Sequence, residues 1–439
     1  MAAQSVMVFG AGVSGRGAAG LLANEGKKIV LVDDKVPGCV SSAEAEGYLD
    51  DTALFVKSPG IPYTPLVRRA MAKNIKIVND IEIAYRYLKE KGYGGKLIAV
   101  TGTNGKTTVT TKITELLRSA GRKAASSGNI GASFAELAAE ENGLSEIVLE
   151  MSSFQLENID TFRADIAMII NLTPDHLERY RDLDDYYETK FRIADTQGPE
   201  GMFLLNLDSP EIMARYARKK PLRARVATLS RSDPGADYTA INGVLRARGR
   251  DILDCDKLSL KGEHNLENTL FIVATADILG LPGERIREFL YHTETVEHRM
   301  ERFHSWNQLT FVNDSKGTNI ESTRYALSAC PGCVLILGGH DKKFDWTPLA
   351  GLVKTYASRV YLIGETTPVL ESVLREAGCD PAVLFPSGTL EKALRHMRET
   401  LDPGTPRTIL LSPATSSYDQ FKNFEERGRI FKALTRKIF

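Results

Sequence analysis

The sequence predicts an α/β protein of three domains, each built on a largely parallel sheet. Three observations carry that expectation. Short, almost wholly apolar strands recur along the chain, separated by helix-length segments, the rhythm of sheets covered on both faces. A glycine-rich turn follows the first strand, in VMVFGAGVSG from Val6. A second glycine-rich turn, of different pattern, opens the middle of the chain in IAVTGTNGKTT from Ile98. At 439 residues the chain also exceeds what one core usually supports.

Composition narrows the function classes. Lys plus Arg and Asp plus Glu number 56 each, so no global basic field invites nucleic acid or an anionic membrane. No stretch approaches the roughly 18–20 apolar residues of a membrane span, so no membrane partner is expected. The N-terminus lacks the layout of a secretion signal, and the cytoplasm is the expected compartment. Five cysteines do not make a disulfide framework. Cys330-Pro-Gly-Cys333 has no second pair to complete a zinc site; an ordinary turn before a strand and a redox pair are its two readings.

The first block spans residues 1–94. VMVFG reads as a strand, followed by a helix near Gly17 to Glu25 and the strand KIVLVDD. ALFVKSPGIP and IKIVND read as further short strands. Gly10, Gly12 and Gly15 form a GxGxxG after a strand, and Asp33 ends the next strand. That is a Rossmann-like pattern: the turn brings backbone close to a diphosphate at a helix start, and the acid meets a ribose. Any nucleotide diphosphate could use it, UDP included; a tight turn without a ligand is the plain alternative. The run KEKGYGGK, residues 89–96, reads as a linker.

The second block, residues 95–297, offers the strands KLIAVTG, EIVLEMS, ADIAMIIN and GMFLLNLD. Between the first strand and a helix with apolar Val109, Ile113, Leu116 and Leu117 lies Thr101-Gly-Thr-Asn-Gly-Lys-Thr-Thr108. This placement is that of a phosphate loop, whose N–H groups and helix N-terminus hold phosphate. Lys106 is expected to reach the β- and γ-phosphates and Thr107 to offer its hydroxyl to magnesium. The generic pattern asks for glycine at position 100, where this chain has valine, so the match is to a shorter form, GTNGKTT. Ligands of open parallel sheets sit at the carboxyl ends of strands. There the chain places Glu150, a natural magnesium ligand, and Thr173-Pro-Asp-His176. His176 stays unresolved between metal ligand and structural residue, Lys190 looks like an ordinary helix lysine, and Asn129 could contact substrate or phosphate.

The third block, residues 298–439, repeats the rhythm in QLTFVNDSK, CVLILGGHDK, RVYLIGET, AVLFP and TILLSPATSS. It is expected to be Rossmann-like. A charged amphipathic helix from about Asp419 closes it.

Together GTNGKTT, GNIG, LEMSSFQLE, NLTPDHLERY, GEHNLEN, HRMERF, NDSKGTN, LILGGHDK and LSPATSSYDQFKNFEERG resemble the Mur ligase family along essentially the whole chain. These are ATP-dependent amide-forming enzymes of peptidoglycan precursor synthesis, a cell-wall pathway on which cell shape and division depend. Within the family the chain is most similar to the branch that adds D-glutamate. The Asp-Asn-Pro-Arg motif of the diaminopimelate- and lysine-adding relatives is absent.

The resemblance implies roles residue by residue. Gly102, Thr103, Asn104, Gly105, Lys106, Thr107 and Thr108 would hold ATP, with Asn268, Arg299 and Asp314 completing the nucleotide contacts. Thr107, Glu150 and His176 would ligate two magnesium ions together with Lys190, the latter as a carbamate. Catalytic roles fall to Lys106, Glu150, His176 and Lys190, and Lys316 resembles a further active-site lysine. Gly12, Val13, Ser14, Asp33, Asp34 and Asn129 would contact the UDP-substrate, UDP-N-acetylmuramoyl-L-alanine. Thr318, Lys342, Ser417 and Phe424 would hold D-glutamate, although Lys343 could replace Lys342. A monomer is expected. Two rivals stand beside this reading: a nicotinamide oxidoreductase, argued from GxGxxG and Asp33, and a nucleotide-driven switch with slow hydrolysis.

Overall fold

The computed structural model describes residues 5–141, 143–175, 179–219 and 221–439. It divides into two compact units, 1–293 and 294–439.

The first unit contains two sheets. Four parallel strands run in the order Ile29–Val32, Ser5–Phe9, Thr52–Lys57, Lys76–Val78. The central sheet has nine strands. Six of them, Arg225–Ser230, Met202–Asn206, Ile166–Ile169, Lys96–Thr101, Glu146–Glu150 and Ala124–Gly128, pair in parallel in that order. In both sheets the strand before a glycine turn lies between neighbours reached in opposite directions. That is the switch point where a crevice opens at the strand ends.

Alternation explains why residues 97–100 of strand Lys96–Thr101 are all apolar. Leu97 and Ala99 face one core and Ile98 and Val100 the other. Burial of Leu97, Ile98 and Val100 contributes roughly 1.5–3 kcal/mol each. The first of these cores also takes in Val6, Val8, Val56 and Leu88, so the two sheets of this unit share apolar packing. The expected linker at 89–96 is therefore not a free connection. The helix Asp80–Glu90 runs into it, and Tyr93 packs on the shared core.

Other expectations need correction. The first helix spans Val13–Asn24, starting at the glycine turn itself rather than near Gly17. The central sheet is not parallel throughout: Tyr238–Ile241, Val244–Ala247 and Arg250–Asp254 form an antiparallel meander at its edge. Its two tight turns, Asn242-Gly243 and Arg248-Gly249, have all four residues at positive φ, the geometry of two-residue hairpins.

The second unit carries a six-stranded sheet in the order Glu301–Trp306, Leu309–Asn313, Arg407–Leu411, Cys333–Gly338, Ala357–Ile363, Leu384–Gly388. Only the edge pair Glu301–Trp306 with Leu309–Asn313 is antiparallel among the described residues. Leu335 and Leu337 face one core, Val334 and Ile336 the other. The last helix spans Phe424–Ile438, five residues later than expected, because Asn423 caps it by accepting from the Glu426 N–H. No helix of the described residues is long and apolar enough to cross a membrane.

Candidate active site

The phosphate loop lies between strand Lys96–Thr101 and helix Lys106–Ser119. Gly105 has φ +85°, and a Cβ there would stand 2.3 Å from Asn268 Oδ1, so only glycine lets Asn268 pack against the loop. The Asn104 N–H donates to Asn171 Oδ1 at 2.9 Å, and the Thr103 N–H to the Asn171 carbonyl at 3.0 Å. Thr103 Oγ1 donates to the Thr173 carbonyl and accepts the Thr173 N–H, both at 3.0 Å. Lys106 Nζ donates to the Gly102 and Thr103 carbonyls at 2.9 Å. The ammonium thus sits at the loop it is expected to serve. Thr107 and Thr108 are buried at the helix start.

Glu150, at the end of the neighbouring strand, gathers the polar groups of the crevice. Its Oε2 accepts from Thr107 Oγ1 at 2.6 Å and its Oε1 from Asn129 Nδ2 at 3.0 Å. A hydroxyl and a carboxylate facing each other beside a helix N-terminus are the hard oxygen donors that magnesium takes, so these residues fit that ion.

Lys190, on helix Leu183–Asp195, is fully buried, donates to the Gly102 carbonyl at 2.9 Å and lies 4.8 Å from the Tyr186 ring centre. Burial first, and then the nearby Lys106 charge, push its amine well below the usual lysine range; Asp175 and Glu150 oppose the shift. By pattern Lys190 is an ordinary helix lysine, whereas its tertiary placement sets it against the Gly102 carbonyl of the phosphate loop. His176 lies outside the described residues.

Two residues here escaped sequence reasoning. Asn171 directly shapes the phosphate loop, and Glu267 accepts from Asn206 Nδ2 at 2.9 Å and Asn171 Nδ2 at 3.4 Å behind it. Asn171 stood in plain view at a strand's carboxyl end. Glu267, one position before Asn268 on helix Glu263–Ile278, lies inside GEHNLEN, but nothing in the spacing singles it out from its neighbours.

In the four-stranded sheet the glycine turn is as tight as its sequence suggests. A Cβ on Gly15 would fall 1.7 Å from the Gly10 carbonyl oxygen. Asp33 accepts from the Ala11 N–H at 2.8 Å and from the Lys35 and Val36 N–H groups, which lower its pKa, the Ala11 bond foremost. Asp34 accepts from the Ser42 N–H at 2.7 Å. Asp33 thus braces the glycine turn, whereas Asp34 holds the start of helix Ser42–Ala45. Gly12 and Val13 are exposed and Ser14 half-buried at its rim.

The second unit holds its expected residues around one set of loops. Asp314 is buried, accepts from Ser412 Oγ at 2.8 Å and the Met300 N–H at 3.3 Å, and has its carboxyl pushed up to about 6 by burial. The Arg299 charge is among the influences opposing that rise. Lys342 Nζ donates to the Thr318 carbonyl at 3.1 Å, whereas Lys343 pairs with Asp341 in solvent. Lys316 Nζ lies 4.8 Å from the Phe424 ring centre. Buried Arg427 ties these loops together, donating to the Ser315, Thr415 and Ser416 carbonyls. Ser417, the next residue, is buried. Cys330 and Cys333 are buried thiols, Cys333 pushed up to about 12 by burial, which disfavours the redox reading.

With this geometry in place, comparisons with known proteins become specific. Residues 100–276 match the Mur ligase middle domain, and residues 298–415 match the Mur ligase, glutamate ligase domain. The chain is 47% identical over 436 residues to a UDP-N-acetylmuramoylalanine--D-glutamate ligase of Fusobacterium nucleatum, covering 99% of this chain and all of that protein. It is 34% identical over 457 residues to the like-named ligase of a Thermoanaerobacter species, covering 98% and 97%. Among solved structures, UDP-N-acetylmuramate-alanine ligase of Thermotoga maritima matches with a TM-score of 0.63 at 18% identity, over 99% of each chain. The MurF ligase of the same organism, in complex with ADP, matches with a TM-score of 0.63 at 15% identity, over 93% and 95%. At such identities these last two speak for the fold alone.

Proposed function

The chain belongs to the Mur ligase family, and from that premise we infer that it joins D-glutamate to UDP-N-acetylmuramoyl-L-alanine at the expense of ATP, in peptidoglycan precursor synthesis. The observation that carries this reading is the whole-chain likeness to D-glutamate-adding ligases. Three sheets divide the labour: the first takes the UDP moiety, the second ATP, the third the amino acid. Two glycine turns therefore serve two nucleotides, of which one is consumed.

The terminal carboxylate of the muramyl peptide attacks the γ-phosphorus of ATP. An acyl phosphate forms and ADP leaves. The D-glutamate amine then attacks the acyl carbon, and phosphate departs from the tetrahedral intermediate. Both reactants of the first step are anions, so its barrier is largely electrostatic. The Lys106 ammonium offsets the repulsion, and the loop N–H groups orient the phosphates. Thr107 and Glu150 would hold magnesium, which would supply further charge neutralisation, with His176 the further expected ligand.

Lys190 takes a second role. A buried amine shifted toward its neutral form can add to carbon dioxide, giving a carbamate and releasing a proton. That turns a cation into a carboxylate-like ligand for a second metal ion. In the second unit, Thr318, Lys342, Ser417 and Phe424 hold D-glutamate, with Lys342 favoured over Lys343 by its bond to Thr318. Arg299, Asp314 and Asn268 serve the adenine nucleotide. The working form is a cytoplasmic monomer.

Phosphate release with UDP-N-acetylmuramoyl-L-alanine, comparing D- with L-glutamate, tests the reading. Release that requires the D-enantiomer supports it. Release independent of any amino acid favours a nucleotide switch, and NADH turnover an oxidoreductase.

A further inference from the structure

A buried ionic cluster outside the reacting groups joins the two nucleotide sites of the first unit. Strand Thr52–Lys57 ends in a lysine whose side chain is wholly buried, and the loop Ser58-Pro59-Gly60-Ile61 follows. This loop is the second wall of the glycine turn. Ser58 Oγ donates to the Gly10 carbonyl at 2.9 Å, and a Cβ on Gly10 would meet Ser58 and Ile61 within 3.0 Å.

Arg179 grips the loop from the central sheet's side. Its Nη2 donates to the Pro59 carbonyl at 3.1 Å and the Ile61 carbonyl at 3.2 Å. The same guanidinium forks onto Glu157, through Nε to Oε1 at 3.0 Å and Nη2 to Oε2 at 2.8 Å. Lys57 Nζ donates to the Ile61 carbonyl at 2.9 Å and lies 3.5 Å from Glu157 Oε2. The Glu157 side chain is 8% exposed and that of Arg179 13%. Two cations thus converge on one carboxylate and one loop. Desolvating such a cluster is costly, and a surface turn needs no such device to hold its shape.

The segment bearing Arg179 has its other anchor on the phosphate loop. Thr173 exchanges two hydrogen bonds with Thr103, and Asp175 acts electrostatically on Lys190. Thr173 meets the phosphate loop and Arg179, close by in sequence, meets loop 58–61.

We propose that Arg179, with Glu157 and Lys57, is a positioning residue for the sugar-nucleotide substrate, fixing loop 58–61 in register with the phosphate loop. The proposal rests on the reading that the glycine turn takes the UDP moiety. A planar fork is what makes the device work: it satisfies two loop carbonyls and a carboxylate at once, which the single ammonium of lysine cannot do.

The test uses the full-length protein, with calorimetric binding of UDP-N-acetylmuramoyl-L-alanine and separate KM values for both nucleotides. Arg179→Met and Arg179→Lys are each expected to raise the Kd and KM of the sugar nucleotide by about tenfold or more while the KM for ATP stays within about twofold. If Arg179→Met does not fold, Arg179→Lys, which keeps the charge, carries the measurement. Unchanged sugar-nucleotide affinity in a folded variant overturns the proposal. So does an equal loss for both nucleotides, which is what general loosening of the fold would give. Val13→Asp separates the two levels of inference, because it places a negative charge at the exposed rim of the glycine turn without touching the cluster. If wild-type and Val13→Asp proteins bind the sugar nucleotide equally, the assignment of the turn is at fault. If Val13→Asp loses binding and the Arg179 variants keep it, the positioning role alone falls.

Discussion

The Thr107 hydroxyl donates to the Glu150 carboxylate across 2.6 Å, although 43 residues separate them in sequence. One lies in the first turn of helix Lys106–Ser119 and the other ends strand Glu146–Glu150, and only adjacent strands in a parallel sheet bring them together. Removing the hydroxyl while keeping the shape, in Thr107→Val, removes one oxygen donor from the proposed magnesium site. The magnesium concentration for half-maximal activity is expected to rise about 10- to 100-fold. Sugar-nucleotide affinity measured by calorimetry should not change. An unaltered magnesium requirement would exclude Thr107 as a ligand.

Lys106 bonds the carbonyls of its own loop, that of Gly102 and that of Thr103. Lys106→Ala is expected to abolish turnover and leave binding of the sugar nucleotide intact. Parallel loss of both in titration calorimetry would contradict the division of labour between the two sheets.

Lys190→Ala should be inactive as well, for a different reason. If the native group is a carbamate, short carboxylic acids added to the variant occupy the space and restore part of the activity. Full activity without them would remove the carbamate from the mechanism. Mass spectrometry under carbon dioxide, with trapping of the adduct, offers an independent readout.

Asp80 gives a pH signature in stability. It is fully buried in the first turn of helix Asp80–Glu90, and among the described residues neither carboxylate oxygen finds a partner at hydrogen-bonding geometry. Burial pushes it up to about 6, with weaker opposing influences from Ser14 and the first N–H groups of its helix. A folded pKa above the unfolded one means the folded state binds the proton more tightly. The native state is therefore favoured at low pH, and stability falls as pH rises from about 4 to 6, by up to about 3 kcal/mol for this group. Asp80→Asn should raise the melting temperature at pH 7.5 and much less at pH 4.5. Equal shifts at both would show that the carboxyl carries no such penalty.

Thiol chemistry checks the cysteine assignment. Cys39 and Cys255 are half-buried, whereas Cys330, Cys333 and Cys379 are buried; burial raises the pKa of Cys255 as well as of the last three. A thiol reagent should titrate the first two under native conditions and all five cysteines of the chain only after denaturation. Rapid native labelling of Cys333 would revive a redox role.

Much of the fold was legible because strong local signals agreed. Apolar strands, helix-length spacers and glycine turns pointed to the same parallel sheets. The antiparallel meander was legible too and was missed: Asn242-Gly243 between apolar residues is a hairpin signal. The expected linker at 89–96 does join helix Asp80–Glu90 to strand Lys96–Thr101, but it is packed rather than free. Glycine content reports what a segment can do alone, whereas Tyr93 is held by a core assembled from both sheets.

By itself, the sequence determined the family, the two nucleotide fingerprints and the residues at strand ends. Those features depend on local patterns, and a phosphate loop needs its glycines and lysine contiguous. Tertiary structure alone decided which polar groups meet. It set Asn171 under the phosphate loop, buried Lys190 beside Gly102, and joined Arg179, Glu157 and Lys57 around one loop. Those relationships arise from strand order and from the loss of water around charged groups, and neither is written in the spacing of residues along the chain.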